Sequence, residues 1–466
     1  MTLGEIAEIL GGRGARGRGI VLGYSIDSRT LKAGDLFFAI RGPRHNGHEY
    51  VRLAFDRGAA GAVVEEEYEP RPGETGEWIR VPDTTRALQQ LALAVRRRWG
   101  GRVIGVTGSV GKTTTKEMIA AVLGMRYRTL KSAGNLNNHY GVPLTLLRLR
   151  PEDDIAVVEM AMSGPGEIAL LASLAEPQTG VVTNVAPAHL EFFESVEAIA
   201  AAKRELIEHL SPPGVAVLNG DDARVRGFAR GFNGRSVTFG FAEDVDYRAA
   251  APGVAQQAGG ATSLTEFEVQ SAKYSGRFSI PLPGRHNVEN ALAAIAVAGL
   301  FDIPEPDLRS ALSAFTPPSQ RAETLHLPNG ITVVNDVYNS NPRAMERMIE
   351  TVATWPGAKR RLVVAGEMLE LGPSAPEWHR SIGRELARWG VDWVVAVQGD
   401  ARFFVEESVE AGLPPGQARF FSNAEEAGRF CCRIAEAGDV ILVKGSRAVK
   451  LERVVEALRR SSAANQ

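Results

Sequence analysis

An α/β protein of three domains is the fold this sequence predicts, and three observations predict it. The chain has 466 residues, more than a single hydrophobic core organises on a norm of roughly 100 to 200 residues per domain. Short apolar runs that end in small or polar residues alternate with segments of helical period, as in parallel sheets covered by helices. Clusters of glycine, proline and polar residues break this alternation near residues 100 and 320, so domains of residues 1–99, 100–319 and 320–466 are expected.

In the first region DLFFAI and GAVVEEE are runs of strand type, and ALQQLALAVRRRWGG is a helix stopped by its closing glycines. The second region opens on the strand VIGV and adds DIAVVEMAM, TGVVTNVAP and GVAVLNGDD, each a parallel-sheet strand by its continuous apolar character. Its glycine-rich insert APGVAQQAGGATS is expected to be a surface loop ahead of the strands LTEFEVQ and GRFSIPL. After FTPPSQR, the third region alternates ITVVNDV, RLVVAGEM, VDWVVAVQG and DVILVKGS with helices such as KLERVVEALRR, a Rossmann-like pattern. The tail SSAANQ is expected to be disordered.

Composition narrows the function classes. Acidic and basic residues number 55 and 53, so the bulk charge gives no reason to expect a nucleic acid or an anionic membrane as partner. The N-terminal MTLGEIAEILGG carries acidic residues, and no segment approaches the roughly 20 apolar residues of a membrane span. The adjacent Cys431 and Cys432 suit neither a zinc site, a C-x-x-C redox pair nor a disulfide framework. The expectation is a cytoplasmic monomer that binds small molecules.

The segment VIGVTGSVGKTTTKEMIAAVL is the most informative. It departs from G-x-x-x-x-G-K-[ST] at its first position, where Val106 replaces glycine. It nevertheless runs strand, glycine turn, Lys-Thr, helix. Gly108, Ser109 and Gly111 would bring backbone N–H groups to phosphate oxygens at a helix N-terminus, Lys112 would reach the terminal phosphates, and Thr113 would meet Mg²⁺, with Thr114 beside it. A tight turn with an exposed lysine is the alternative.

TGSVGKTTT resembles the phosphate-binding loop of the Mur ligases and their folylpolyglutamate synthase relatives. SAGNLNNHYGVPLTLLRL, VVEMAMSGPGEI, VVTNVAPAHLEFF, AKRELI, VLNGDD, LPGRHNVENALAA, VVNDVYNSNPRAM and VKGSR follow in that family's order over nearly the whole chain. SIDSR, AGDLFFAIRG and NGHEY resemble the uridine-nucleotide domain of the family's tripeptide- and D-Ala-D-Ala-adding branches, and DVYNSNP resembles the latter branch. The resemblance implies a small N-terminal α/β UDP-binding domain, a central P-loop ATPase domain and a C-terminal domain that delivers an amine. It implies an ATP-dependent ligase that joins D-Ala-D-Ala to UDP-MurNAc-tripeptide through an acyl phosphate. The diaminopimelate- or lysine-adding ligases, folylpolyglutamate synthase and a regulatory P-loop ATPase are the rival readings.

The same resemblance assigns residues. Glu159 and His189, each ending a strand, become ligands of Mg²⁺, although either would also serve as an ordinary hydrogen-bonding side chain. Lys203 lies four residues from Ile199 and three and seven from Leu206 and Leu210, hence on the apolar face of its helix. Position alone suits a lysine that lays its stem on apolar surface. The resemblance makes it the carbamylated lysine of Mur ligases, a fourth ligand beside Thr113. Asn287 and Asn290 fall on the adenine side, though helix capping also explains Asn287. Arg321 is assigned to the γ-phosphate and Asp336 to ribose, with interdomain ion pairing as the alternative for both. Tyr338, Asn339, Asn341, Lys444, Ser446 and Arg447 are candidates for the dipeptide's pocket. Ser28, Arg29, Asn46 and His48 are candidates for the uridine nucleotide, with a turn explaining Ser28 equally well. Asn137, flanked by Asn135 and Asn138, is a candidate for the sugar-peptide.

Overall fold

The computed structural model describes residues 1–14, 17, 19–43, 45–71, 75–187, 190–256 and 263–464. Three sheets follow one another along the chain. The first has five strands in the order Arg13–Gly14, Trp78–Val81, Gly61–Glu65, Asp35–Phe38, Gly23–Ser25, parallel except for the first. The helix Thr84–Trp99 leaves it, begun by Asp83, whose carboxylate accepts the N–H groups of Thr85 and Arg86, and ended at Gly100.

The central sheet has nine strands. Seven are parallel, in the order Tyr247–Gln256, Arg235–Gly240, Val215–Asn219, Thr179–Val182, Arg102–Thr107, Ile155–Glu159, Thr129–Lys131. Ser263–Gln270 and Ser275–Ile280 extend it antiparallel at one edge. This order sets Arg102–Thr107 between Thr179–Val182 and Ile155–Glu159, with Val106 opposite Glu159. Parallel neighbours bring their carboxyl ends to one edge, which is where open α/β sheets collect ligands.

The third sheet has one antiparallel edge strand, Glu323–His326, beside five parallel strands ordered Thr332–Asp336, Asp439–Lys444, Arg360–Gly366, Trp393–Val397, Ala418–Phe421. It alternates strand and helix as a Rossmann-like domain does, while its last parallel strand, Asp439–Lys444, slots between the first two.

The apolar cores join these layers. One face of the central sheet shares a core with the first sheet and its helices, and the other shares one with the third domain. At the second seam lies the helix Arg285–Leu300, buried from Asn287 to Ala298, because it packs on the helix Lys112–Leu123, on the sheet and on the third-domain helix Pro342–Ala353. Glu289 and Arg347 pair across that seam at 2.9 Å.

Two expectations are corrected. In the described part of the insert APGVAQQAGGATS, 251–256 complete the strand Tyr247–Gln256 and Ser263 begins its antiparallel partner; 257–262 lie outside the described residues. The run has no apolar alternation, and the ladder to Ser263–Gln270 supplies the hydrogen bonds that its composition did not announce. The tail is not free either: the helix Glu452–Ala464 includes 461–464, with Ser462 Oγ accepting the N–H of Asn329. Both cysteines are free thiols, and burial pushes Cys431 up to about 12. Among the described residues no helix is long and apolar enough to cross a membrane.

Candidate active site

The chain leaves the strand Arg102–Thr107 through Gly108 and Gly111, at φ +149° and +88°, and enters the helix Lys112–Leu123. A Cβ at Gly108 would collide with Thr183 Oγ1 and one at Gly111 with Asn290 Oδ1, so both glycines are required by backbone conformation and by space. The loop is clamped from the neighbouring strand end. Thr183 Oγ1 donates to Val110 O at 2.6 Å, Asn184 Oδ1 accepts the N–H of Val110, and Ser109 Oγ exchanges hydrogen bonds with the backbone of Ala186. Ser109 is therefore committed to holding the loop's shape.

Lys112 Nζ donates back to Gly108 O (2.7 Å) and Ser109 O (3.2 Å). Burial lowers its pKa, with Glu159 opposing that shift and Arg321 adding to it. Thr113 Oγ1 donates to Glu159 Oε1 at 3.1 Å, and Asn137 Nδ2 donates to the same oxygen at 2.9 Å. The second carboxylate oxygen, Oε2, is buried without a hydrogen bond.

Around these groups lies a cavity of about 540 Å³. The central domain lines it with Ser109 to Thr114, Asn137, Glu159, Asn287 and Asn290. The third domain adds Arg321, Asp336, Tyr338, Asn339, Asn341 and Lys444. The two asparagines on the helix Arg285–Leu300 form a relay, Asn290 Nδ2 donating to Asn287 Oδ1 and Thr115 Oγ1 to Asn290 Oδ1, both at 3.1 Å. Asn287 Nδ2 donates to Pro283 O, so its side chain does not cap that helix.

Several assigned side chains have structural work. Asp336 accepts Ala322 N–H on Oδ1 (3.1 Å) and buried Lys444 Nζ on Oδ2 (2.6 Å), so each carboxylate oxygen already has a partner. Lys444 also donates to Asn339 O. Asn341 caps the helix Pro342–Ala353 by accepting the N–H of Ala344, and Ser446 Oγ accepts that of Leu369. Ser446 and Arg447 do not line the cavity; Arg447 stacks on Tyr338 at its rim.

In the first domain, His48 Nε2 accepts the N–H of Glu65 while Nδ1 donates to Asn46 Oδ1. Both ring nitrogens of His48 are thus engaged within the protein, and Asn46 Oδ1 braces the turn at 46–50. Arg29 folds back onto Asp27 in a two-pronged pair, and Ser28 is buried. None of these four lines the central cavity. His189 lies outside the described residues.

Lys203 is 2% exposed on the helix Val196–Glu208, whose N-terminus Ser195 caps. Among the described residues its ammonium has neither a hydrogen bond nor an ion pair. Burial drives its pKa well down, and the charge of Lys112 pushes the same way. It does not line the cavity.

Sequence reasoning missed Lys116, which is wholly buried one turn beyond Lys112. Its ammonium donates to Ser132 O (2.7 Å), pairs with Glu117 (2.8 Å) and stands 3.8 Å from Glu159 Oε2. Ser132 Oγ in turn accepts the N–H of Glu159. The available signal was a lysine four residues after Lys112 on a helix with little exposed face. We expect Lys116→Met to destabilise the fold by about 3 kcal/mol, since removing one partner of a buried pair strands the other; a lowered guanidinium midpoint measures it.

Three family models match the chain in succession: "Mur ligase family, catalytic domain" over residues 21–96, "Mur ligase middle domain" over 106–298 and "Mur ligase, glutamate ligase domain" over 320–447. The chain is similar, at 36% identity over 98% of both chains, to the UDP-N-acetylmuramoyl-tripeptide--D-alanyl-D-alanine ligase of Bacillus subtilis (strain 168). Its structure resembles that of MurF from Acinetobacter baumannii, with a TM-score of 0.86 and 29% identity over 98% of both chains. It also resembles MurF ligase from Thermotoga maritima in complex with ADP, with a TM-score of 0.83 and 28% identity over 96% of this chain and 99% of that one. Family models match each of the three domains in turn and relatives of matching length align over nearly the whole chain, and the chain belongs to the Mur ligase family.

Proposed function

We propose that the chain is an ATP-dependent ligase that joins D-Ala-D-Ala to UDP-MurNAc-tripeptide, a step of peptidoglycan precursor synthesis in the cytoplasm. The observation that carries this is one cavity in which the loop at Lys112 and the carboxylate of Glu159 face the DVYNSNP segment of the third domain. The similarity to ligases of that printed activity supports the same reading. Residues 1–99 then hold the uridine nucleotide, 100–319 the ATP, and 320–466 the dipeptide, all within one chain.

Amide formation from a carboxylate is uphill in water, so the acceptor carboxylate first attacks the γ-phosphorus of ATP, giving an acyl phosphate and ADP. The amine of D-Ala-D-Ala then attacks the acyl carbon, loses a proton, and phosphate leaves. Lys112 and the N–H groups of Gly111 to Thr113 hold the phosphates, and Arg321 supplies a second cation opposite Lys112. Asn287 and Asn290 face the base, and Asn137 orients Glu159.

Mg²⁺ fits the site. The hydroxyl of Thr113 and the unbonded Oε2 of Glu159 are hard oxygen donors, and this cation is commonly held by one or two carboxylates together with substrate phosphates and water. When bound it offsets charge on the transferring phosphoryl group. His189 and Lys203 complete the proposed ligand set, Lys203 as its carbamate: the neutral amine adds to CO₂, releases a proton and becomes an anion.

Mass spectrometry of the product tests the reading. UDP-MurNAc-pentapeptide is expected from UDP-MurNAc-tripeptide, ATP and D-Ala-D-Ala, with ATP hydrolysis dependent on both other substrates. A product formed from a single amino acid, or hydrolysis that ignores the substrates, overturns it.

A further inference from the structure

The ring of Tyr338 contacts two guanidinium groups. Arg321 Cζ lies 3.9 Å from its centroid and Arg447 Cζ 5.3 Å. The two arginines come from opposite ends of the third domain, one from its first loop and the other from the turn after the strand Asp439–Lys444. Among the described residues neither guanidinium forms an ion pair or a side-chain hydrogen bond, so each meets the ring with its N–H donors unpartnered there. The hydroxyl of Tyr338 likewise makes no hydrogen bond among the described residues.

The backbone around Arg321 is held with equal care. Gln320 and Ala322, its two neighbours, sit at φ +65° and +53°, where side chains other than glycine are disfavoured. Three hydrogen bonds keep them there: Tyr338 N–H to Gln320 O (3.3 Å), Ala322 N–H to Asp336 Oδ1 (3.1 Å) and Gln320 N–H to Glu323 Oε2 (3.4 Å). The segment that carries Tyr338 therefore fixes Arg321 through its main chain and through its ring together.

Resting on the ligase reading, we infer that Tyr338 is a positioning residue whose ring face, and not its hydroxyl, presents Arg321 to the nucleotide's phosphates and Arg447 to the carboxylate of the incoming dipeptide. One side chain thereby couples the two pockets. A guanidinium stacked on a ring keeps its planar fork directed outward and loses little further freedom on binding an oxyanion.

Full-length Tyr338→Phe and Tyr338→Leu separate ring from hydroxyl. The phenylalanine variant is expected to stay within about threefold of the parent in both KM values, and the leucine variant to raise the KM for ATP and for D-Ala-D-Ala on the order of tenfold each. Equal losses in the two variants overturn the proposal, because the hydroxyl then matters. So does a leucine variant in which only the dipeptide KM moves. Should the leucine variant not fold, Tyr338→Trp takes its place, since a larger ring face is expected to preserve both KM values and a loss in both overturns the idea. A parent chain that forms no pentapeptide overturns the ligase reading itself; an active parent with an unaffected leucine variant overturns only the platform.

Discussion

Lys112→Ala is expected to slow ligation by about 10²–10³-fold while leaving the melting temperature near that of the parent. The ammonium donates to two carbonyls, Gly108 O and Ser109 O, and desolvation works against its charge. Bound phosphates supply the anion that those carbonyls only mimic, so the charge contributes most once the nucleotide is present. The loop itself is shaped by Thr183, Asn184 and the Ser109–Ala186 exchange, none of which needs the lysine. Near-normal turnover in a folded variant would reject the phosphate-binding role. The rate is read as kcat/KM for ATP beside a thermal melt of the same preparation.

Lys203→Ala is expected to be inactive, with activity partly restored by formate or acetate. A lysine acting through its ammonium would need a partner, and among the described residues this one has none, while Lys112 adds a repelling charge. Those surroundings favour the neutral amine, which is the form that reacts with CO₂. Arginine keeps its charge and forms no carbamate, so Lys203→Arg should be as inactive as the alanine variant. A small carboxylate can enter the space vacated in Lys203→Ala and replace the missing anion. Rates are compared with and without formate at fixed ionic strength, so that screening is constant. Full activity of Lys203→Arg would sink the carbamate outright, and a lysine that merely covers apolar surface predicts neither the loss nor the rescue.

The amino-acid sequence by itself determined the features that depend on neighbours in the chain. The run from Val103 to Leu123 reads as strand, turn and helix because apolar period, glycine placement and Lys-Thr all fall within about twenty residues, and the structure follows it. The long strands were legible from their continuous apolar runs, and the apolar face that holds Lys203 from a period of 3.6. Short strands such as Gly23–Ser25, Thr129–Lys131 and Ala418–Phe421 were not, since three or four residues carry no period and become strands through the partner they find. Tertiary structure alone decided which polar groups meet. Thr115 and Asn290 are 175 residues apart in sequence, Lys444 and Asp336 108, and Lys116 reaches Glu159 only because sheet order sets two strand ends side by side. It also turned Asn46 and His48 into braces and stacked two arginines on Tyr338. A motif states which groups are available; burial then requires each polar atom to find a partner, and only the packed chain fixes which partner is within reach.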